Sequence, residues 1–470
     1  MPNKVKSAPP KVKNSYRETL KMLNSHSAGI DVGSIEMWVC VPKKDASKEN
    51  IKQFGSFTPD LIKLCNWLSE CKIESVAMES TGIYWIPLFQ MLEGRGFDVV
   101  LVNAHELKNV SGRPKTDRFD CQWIQRLHSY GLLKASFRPE DSICRLRVLM
   151  RHRKNLVEES CKHIQHMQKS LRLMNVVLEK VISDITGEVG MKIINAILRG
   201  EHDPYVLAKY RNERIKSSES TIAKALTGNY RKEEIFILQQ AVDSYNHVNK
   251  QIKKCDNETE KLIAKIGKNY KNKFHKSSTC INTVEPKKFK NRRKGAFKGS
   301  SSKVSGYLQS VIGTEITDIN GIDMLGALTL ISETGFNMNK WATEKHFCSW
   351  LSLSPNRKIT GGKLLSSRTK RVNNRAKQIF KTAAVTLRNS NCYLGAFYRR
   401  MRKKAGPGVA VTATARKIAI IYYHTLKHGR SFVELGADYY EKTYRDRIKI
   451  NLEKRAGQLG LKLVELKQAL

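Results

Sequence analysis

Between residues 27 and 135, short apolar runs alternate with stretches whose apolar positions recur every three or four residues. AGIDV, MWVCVP and KQFGSF read as three strands in succession. PDLIKLCNWLSEC has helical spacing, SVAME is strand-like, and YWIPLFQMLEGRG is a helix closed by glycine. FDVVLVN follows as another strand and DRFDCQWIQRLHSYGLL as another helix. Three hairpin-like strands followed by alternating strands and helices predict an α/β domain with a mixed sheet over 27–138.

The pattern changes after residue 139. SICRLRVLMRHRKNLVEESCKHIQHMQKSLRL and EEIFILQQAVDSYNHVNKQIKKCDNETEKLIAKIG keep apolar residues at three- and four-residue spacing with charges between them. They predict long amphipathic helices able to pair as an antiparallel coiled coil over 139–266, with a break near TGEVG at 186–190. Residues 267–303 hold many lysines and arginines and a single acid, Glu285, and read as a basic linker too polar to order itself. Residues 304–435 return to globular patterning. An apolar helix follows the INGID turn, KWATEKHFCSWLSLSP is a second helix, and the KITGGK loop leads into a basic one. TATARKIAIIYYHTLKHG closes this domain as an amphipathic helix ending in glycine. Residues 1–26 read as a basic arm and 436–470 as a helical tail.

Composition narrows the partners. Lys and Arg number 84 against 43 Asp and Glu, a formal net charge of +41 over 470 residues. Such an excess favours a polyanion, nucleic acid first. No apolar run is long enough to span a membrane and no signal-peptide core follows the N-terminus, which excludes a membrane and points to the cytoplasm. The ten cysteines are scattered, without zinc spacing, as befits a reducing compartment.

Four carboxylates fall at the ends of predicted elements. Asp31 lies near the end of the first strand, Glu79 ends SVAME, and Asp117 and Asp120 open a helix three residues apart, on one face. Crowded carboxylates repel one another, and a hard cation such as Mg²⁺ relieves this while binding phosphate. Two such ions can clamp a scissile phosphodiester. The second constellation is KITGGK, where Thr360 precedes two glycines and a lysine, with Lys363, Arg368, Lys370, Arg371 and Arg375 after it. A hydroxyl there can attack phosphorus if activated. Lys115, Arg118, Arg151 and Arg153 add positive charge near the acids and along the first long helix, as candidate backbone contacts.

AGIDVG, AMESTGIYW and KTDRFD, followed by INGID and LSLSPNRKITGGKLLSSRTKR, resemble the insertion-sequence transposases of the IS110 family. The resemblance runs from about residue 27 to near 465 and rests on the order and spacing of several motifs. It implies a RuvC-like DEDD domain of the RNase H type, joined to a mainly α C-terminal domain bearing a nucleophilic serine. It further implies a Mg²⁺-dependent, site-specific DNA recombinase of a prokaryotic mobile element. Its partners would be donor and target DNA and a structured noncoding guide RNA. The implied assembly is a dimer or tetramer, in which two subunits could complete one site. The acidic tetrad maps onto Asp31, Glu79, Asp117 and Asp120. The serine position maps onto Thr360, a departure that keeps the hydroxyl but adds a β-branch. Thr360 as working substitute is the favoured reading; Ser366 or Ser367 as nucleophile, or an impaired copy, remain open. The proline of the family's PGI-type turn is Asn320. Two other classes compete: a junction nuclease that uses metal-bound water, and a non-catalytic nucleic-acid-binding relic.

Overall fold

The computed structural model of the protein describes residues 22–42, 50–80, 82–103, 116–274, 297, 299–429, 431–433, 435–462 and 464. The chain divides into two compact units, Met1–Arg138 and Pro139–Leu470. The basic arm falls outside the described residues up to position 21.

In the first unit the strand-like runs form β1 (Ser27–Val32), β2 (Glu36–Cys40), β3 (Ile51–Gly55), β4 (Ser75–Glu79) and β5 (Asp98–Val102). The helical runs form α1 (Thr58–Glu70), α2 (Trp85–Gly94) and α3 (Asp117–Ser129). The sheet order is β3-β2-β1-β4-β5, antiparallel among β1 to β3 and parallel from β1 through β4 to β5. This is the mixed sheet the pattern predicts, and it is a RuvC-like fold.

Because strand side chains alternate between faces, each strand serves two layers. Ala28, Ile30, Val32, Val76 and Met78 pack on Leu61, Leu64 and Leu68 of α1 and Leu88 and Leu92 of α2. On the opposite face, Ala77 and Val102 meet Ile124 and Leu127 of α3. Cys40 and Cys121 are buried together beside them. Each fully buried leucine of such a layer contributes about 1.5–3 kcal/mol.

The second unit begins with α4 (Asp141–Leu173), a 33-residue helix, and α9 (Lys232–Phe274), a 43-residue one. They run antiparallel: Arg153 pairs with Asp256, while Asn249 donates to Ser160 seven residues further along α4. Four short helices cap the distal end: α5 (Leu178–Val181), α6 (Glu188–Leu198), α7 (Pro204–Ala208) and α8 (Glu219–Leu226). Their core includes Met167, Leu171, Ile193, Ile197, Leu226 and Leu238. Helix α9 continues into the stretch read as linker; residues 275–296 and 298 lie outside the described residues.

Beyond it come α10 (Ser301–Ile312), α11 (Met324–Thr334), α12 (Glu344–Trp350), the ribbon β6 (Lys358–Thr360) and β7 (Lys363–Ser366), and α13 (Arg375–Thr386). Phe347 of α12 packs between Trp341, Trp350, Phe380, Tyr422 and Tyr423. Helix α14 (Tyr393–His428) is interrupted at Gly406, whose φ of 82° and ψ of 171° are not helical. Lys417 reaches the ring of Phe397, 4.5 Å from its centre. Twenty residues of unbroken helix would put them about 30 Å apart, so α14 doubles back at Gly406 as two antiparallel arms. Helix α15 (Gly436–Gln458) packs Ala437 and Tyr440 against Ala396 and Phe397 of the first arm. Among the described residues, no helix is long and apolar enough to cross a membrane.

Candidate active site

The acid site starts with strand register. Ile30 sits opposite Met78 in the parallel β1–β4 pair, so the next residues, Asp31 and Glu79, are neighbours near the carboxyl ends of adjacent strands. Alternation places both on the α3 face, since Gly29 and Ala77, two residues earlier, face α3.

Helix α3 supplies the other two acids. Thr116 caps it by accepting a hydrogen bond from the Phe119 amide, 3.5 Å. Asp117 and Asp120 occupy its first turn, where the helix dipole favours negative charge, and Arg126 and His128 its last. Gly29 lets this helix lie directly on β1. A Cβ there would stand 2.7 Å from the Gln125 Cα and would collide with the Gln125 amide and the Cys121 carbonyl. A glycine in mid-strand was the available signal for this close backbone approach, and the apolar pattern alone passes over it.

The four carboxylates act on one another. Burial first, then repulsion from Glu79, Asp117 and Asp120, pushes the Asp31 carboxyl up from 3.8 to about 6, against a hydrogen bond with the Val32 backbone. The donors are all carboxylate oxygens, and their mutual repulsion is the kind a bound cation removes. By that chemistry Asp31, Glu79, Asp117 and Asp120 fit a hard divalent ion. Among the described residues, no group of three or more His, Cys, Asp or Glu is gathered closely enough to hold a metal ion in the arrangement seen.

The second constellation is a hairpin, where the sequence suggested a loop. Thr360 and Lys363 are partners across a two-residue turn, with Gly361 at φ 52° and Gly362 at φ 75°. Both turn residues are left-handed, the pattern of a type I′ hairpin, which explains the glycine pair. Thr360 is exposed, as are Lys363, Ser367, Arg368, Lys370, Arg371 and Arg375. The Ser366 hydroxyl accepts from the Arg368 amide at 3.3 Å. The carbonyl of Lys370 accepts from the Lys377 ammonium at 3.3 Å.

Two residues expected on a phosphate-binding face are engaged otherwise. Arg153 is 3% exposed and forms a bidentate ion pair with the fully buried Asp256, joining α4 to α9. Arg151 clasps Glu333 with bonds of 3.0 and 2.9 Å, and Arg147 donates to the Ser332 and Glu333 carbonyls, each at 3.0 Å. These arginines dock α4 on the C-terminal end of α11, where carbonyls favour cations. Helical spacing could not separate them from solvent-facing arginines, because their acid partners lie 103 and 182 residues away. Arg118 is exposed beside the acids, and Lys115 lies outside the described residues.

A RuvC-like sheet with acids at the ends of its central parallel strands is the frame of a DNA-processing domain. Residues 28–176 match the family model of the IS110 transposase DEDD domain, described as a transposase. Residues 313–399 match the model described as transposase IS116/IS110/IS902 family. Together the matches span half of the chain, and the chain belongs to the IS110-type transposases of mobile elements, enzymes that cut and rejoin DNA. All four acids lie in the first match and Thr360 in the second. No curated protein matches the chain.

Proposed function

We propose that this transposase cuts and rejoins DNA through a covalent intermediate on Thr360, directed to its sites by a structured RNA of its own element. The observation that carries the reading is that three acids, Glu79, Asp117 and Asp120, act on a fourth, Asp31, whose carboxyl is pushed up to about 6 by burial first and then by their charges. Asp31, Glu79, Asp117 and Asp120 would hold Mg²⁺ as a pair of ions. When bound, such ions neutralise charge on a scissile phosphate and favour an attacking oxygen.

The chain's own chemistry is then a double exchange at phosphorus. The Thr360 Oγ1 forms a bond to phosphorus and gives up its proton, while the bond to the departing sugar oxygen breaks and that oxygen is protonated. The freed hydroxyl of a second strand next attacks the same phosphorus, and Thr360 leaves and recovers a proton. Two P–O bonds form and two break, so no nucleotide hydrolysis is required. Lys363, Arg368, Lys370, Arg371 and Arg375 follow the hydroxyl on exposed positions suited to backbone phosphates, and Arg118 serves the acid side. The net charge of +41 accommodates RNA as well as DNA, with sequence read by base pairing and the protein working as a dimer or tetramer.

Covalent trapping tests this. Purified protein, the element's flanking RNA and end-labelled donor DNA are incubated in Mg²⁺ and separated on a denaturing gel. A labelled protein–DNA adduct is expected, lost in Thr360→Ala and retained in Thr360→Ser. Cleaved DNA without an adduct would mean that water is the nucleophile and Thr360 an ordinary turn residue. An adduct that survives Thr360→Ala but not Ser366→Ala or Ser367→Ala would move the nucleophile.

A further inference from the structure

At the junction of the two α14 arms with α15, the described charged side chains that converge are all cationic. Lys417 on the second arm projects over the first, 4.5 Å from the Phe397 ring centre and 5.2 Å from that of Tyr393. Arg400 on the first arm lies over Tyr444 at 4.0 Å and Tyr440 at 5.6 Å, both on α15. Arg447 stands three residues after Tyr444, on the same side of α15. Burial, then the charges of Arg447 and Arg400, push the Lys417 ammonium below its ordinary range.

Acids that would normally compensate such a group are missing from its neighbourhood. The 36 residues of α14 contain no Asp or Glu. On α15, Glu441 is engaged by Arg445 at 3.8 Å, and Asp438 and Asp446 are exposed. Among the described residues, none of Arg400, Lys417 and Arg447 is within ion-pair distance of a carboxylate. Stacking on tyrosines accounts for Arg400 as a staple between α14 and α15. It leaves the partly buried Lys417 facing two further cations, an arrangement that costs free energy unless an anion sits among them. Guanidinium forks beside an ammonium suit a phosphate oxyanion.

We infer that Arg400, Lys417 and Arg447 form a phosphate-binding site at this junction. It uses none of the four acids and not Thr360, so it stands or falls independently of the proposed strand exchange. Its phosphate comes from a nucleic-acid backbone or from free inorganic phosphate, and the two sources are separable.

The test uses the full chain with Arg447→Gln, chosen because Arg447 is exposed and its replacement leaves the packing intact. Arg445→Gln is the control, removing the same charge from the same helix. Lys417→Met, which keeps the stem over Phe397, is the second variant, with its melting temperature checked. Binding of labelled duplex and single-stranded oligonucleotides is followed by anisotropy across a salt series, and inorganic phosphate is titrated by calorimetry. If the backbone is the ligand, Arg447→Gln makes the slope of log K against log salt shallower by about 0.9 on duplex or about 0.7 on single strands, and Arg445→Gln does not. If free phosphate is the ligand, the salt slope is unchanged, but a phosphate binding isotherm present in the parent protein disappears in Arg447→Gln and Lys417→Met. Equal slopes for Arg447→Gln and Arg445→Gln, together with no phosphate isotherm in the parent protein, would overturn the site and leave the cluster as an aromatic staple.

Discussion

Asp31 and Glu79 stand on the central strands of a five-stranded sheet covered by helices on both faces, whereas Thr360 stands at the end of a strand in a two-stranded ribbon. The acids take their positions from a buried register. A one-residue slip of β4 against β1 would turn Met78 out of the core and Glu79 into it, so the core itself enforces the site. The hydroxyl takes its position from two glycines with positive φ and little else, because the ribbon exposes Ile359, Leu364 and Leu365 as well as Thr360. The acid region is preorganised and answers to changes deep in the fold. The hairpin answers to its own turn chemistry.

The largest effect is expected for Asp120→Asn, which removes charge without changing shape: strand cleavage should fall on the order of 10²–10³-fold or more, with an unchanged far-UV circular dichroism spectrum. Cleavage within tenfold of the parent would remove Asp120 from the site.

Next comes Gly29→Ala, which forces the backbone of α3 away from β1. Overpacking of this kind costs about 1–3 kcal/mol or more, read as a lower denaturant midpoint, and cleavage should fall with it because Asp117 and Asp120 ride on α3. Unaltered stability would mean that α3 lies further from β1 than the structure has it.

Asp31→Asn probes the cost of burying that carboxylate among three others. The folded-state pKa of Asp31 is raised from 3.8 to about 6, so the folded chain holds this proton more tightly than the unfolded one. The associated stability is fully present below about pH 4 and is lost as pH rises through about 6. Without divalent ions, Asp31→Asn should therefore be more stable than the parent at pH 7.5, by about 1–2 kcal/mol after allowing for solvent screening. Adding Ca²⁺ or Mg²⁺ should stabilise the parent more than the variant. A variant less stable than the parent at pH 7.5 in EDTA would show that burial and the neighbouring acids together do not penalise the Asp31 carboxylate.

The smallest effect is expected at the hairpin. Gly362→Ala puts a Cβ on a residue at φ 75° with open space around it. It should cost about 1 kcal/mol locally, with almost no change in the melting temperature of the chain. Its signature would instead be a lower yield of covalent adduct at unchanged Mg²⁺ dependence, whereas a large fall in melting temperature would show the ribbon to be part of the core.

Much of this was legible along the chain. Period-two and helical spacing gave every strand of the first unit and its three described helices, because each element must bury one face. The acids were legible as a set because each falls at the end of an element. Arg153 and Arg151 were not, since a buried ion pair with Asp256 and a clasp on Glu333 look in sequence like any basic helix face. The reversal at Gly406 was equally hidden: Gly406-Pro407 marks a break, but a break does not say in which direction the chain leaves it. Lys417, Arg400 and Arg447 are scattered over 48 positions and meet only because of that reversal. Local periodicity and composition suffice for element types, the order of strands and helices, the placing of four acids near element ends and the excess of positive charge. Only tertiary structure decided the close seating of α3 on Gly29, the raised pKa of Asp31 and which arginines are buried. Those depend on distances between residues far apart in the chain: a mid-strand glycine signals a close approach without saying which element approaches, and nothing local separates a buried arginine from an exposed one.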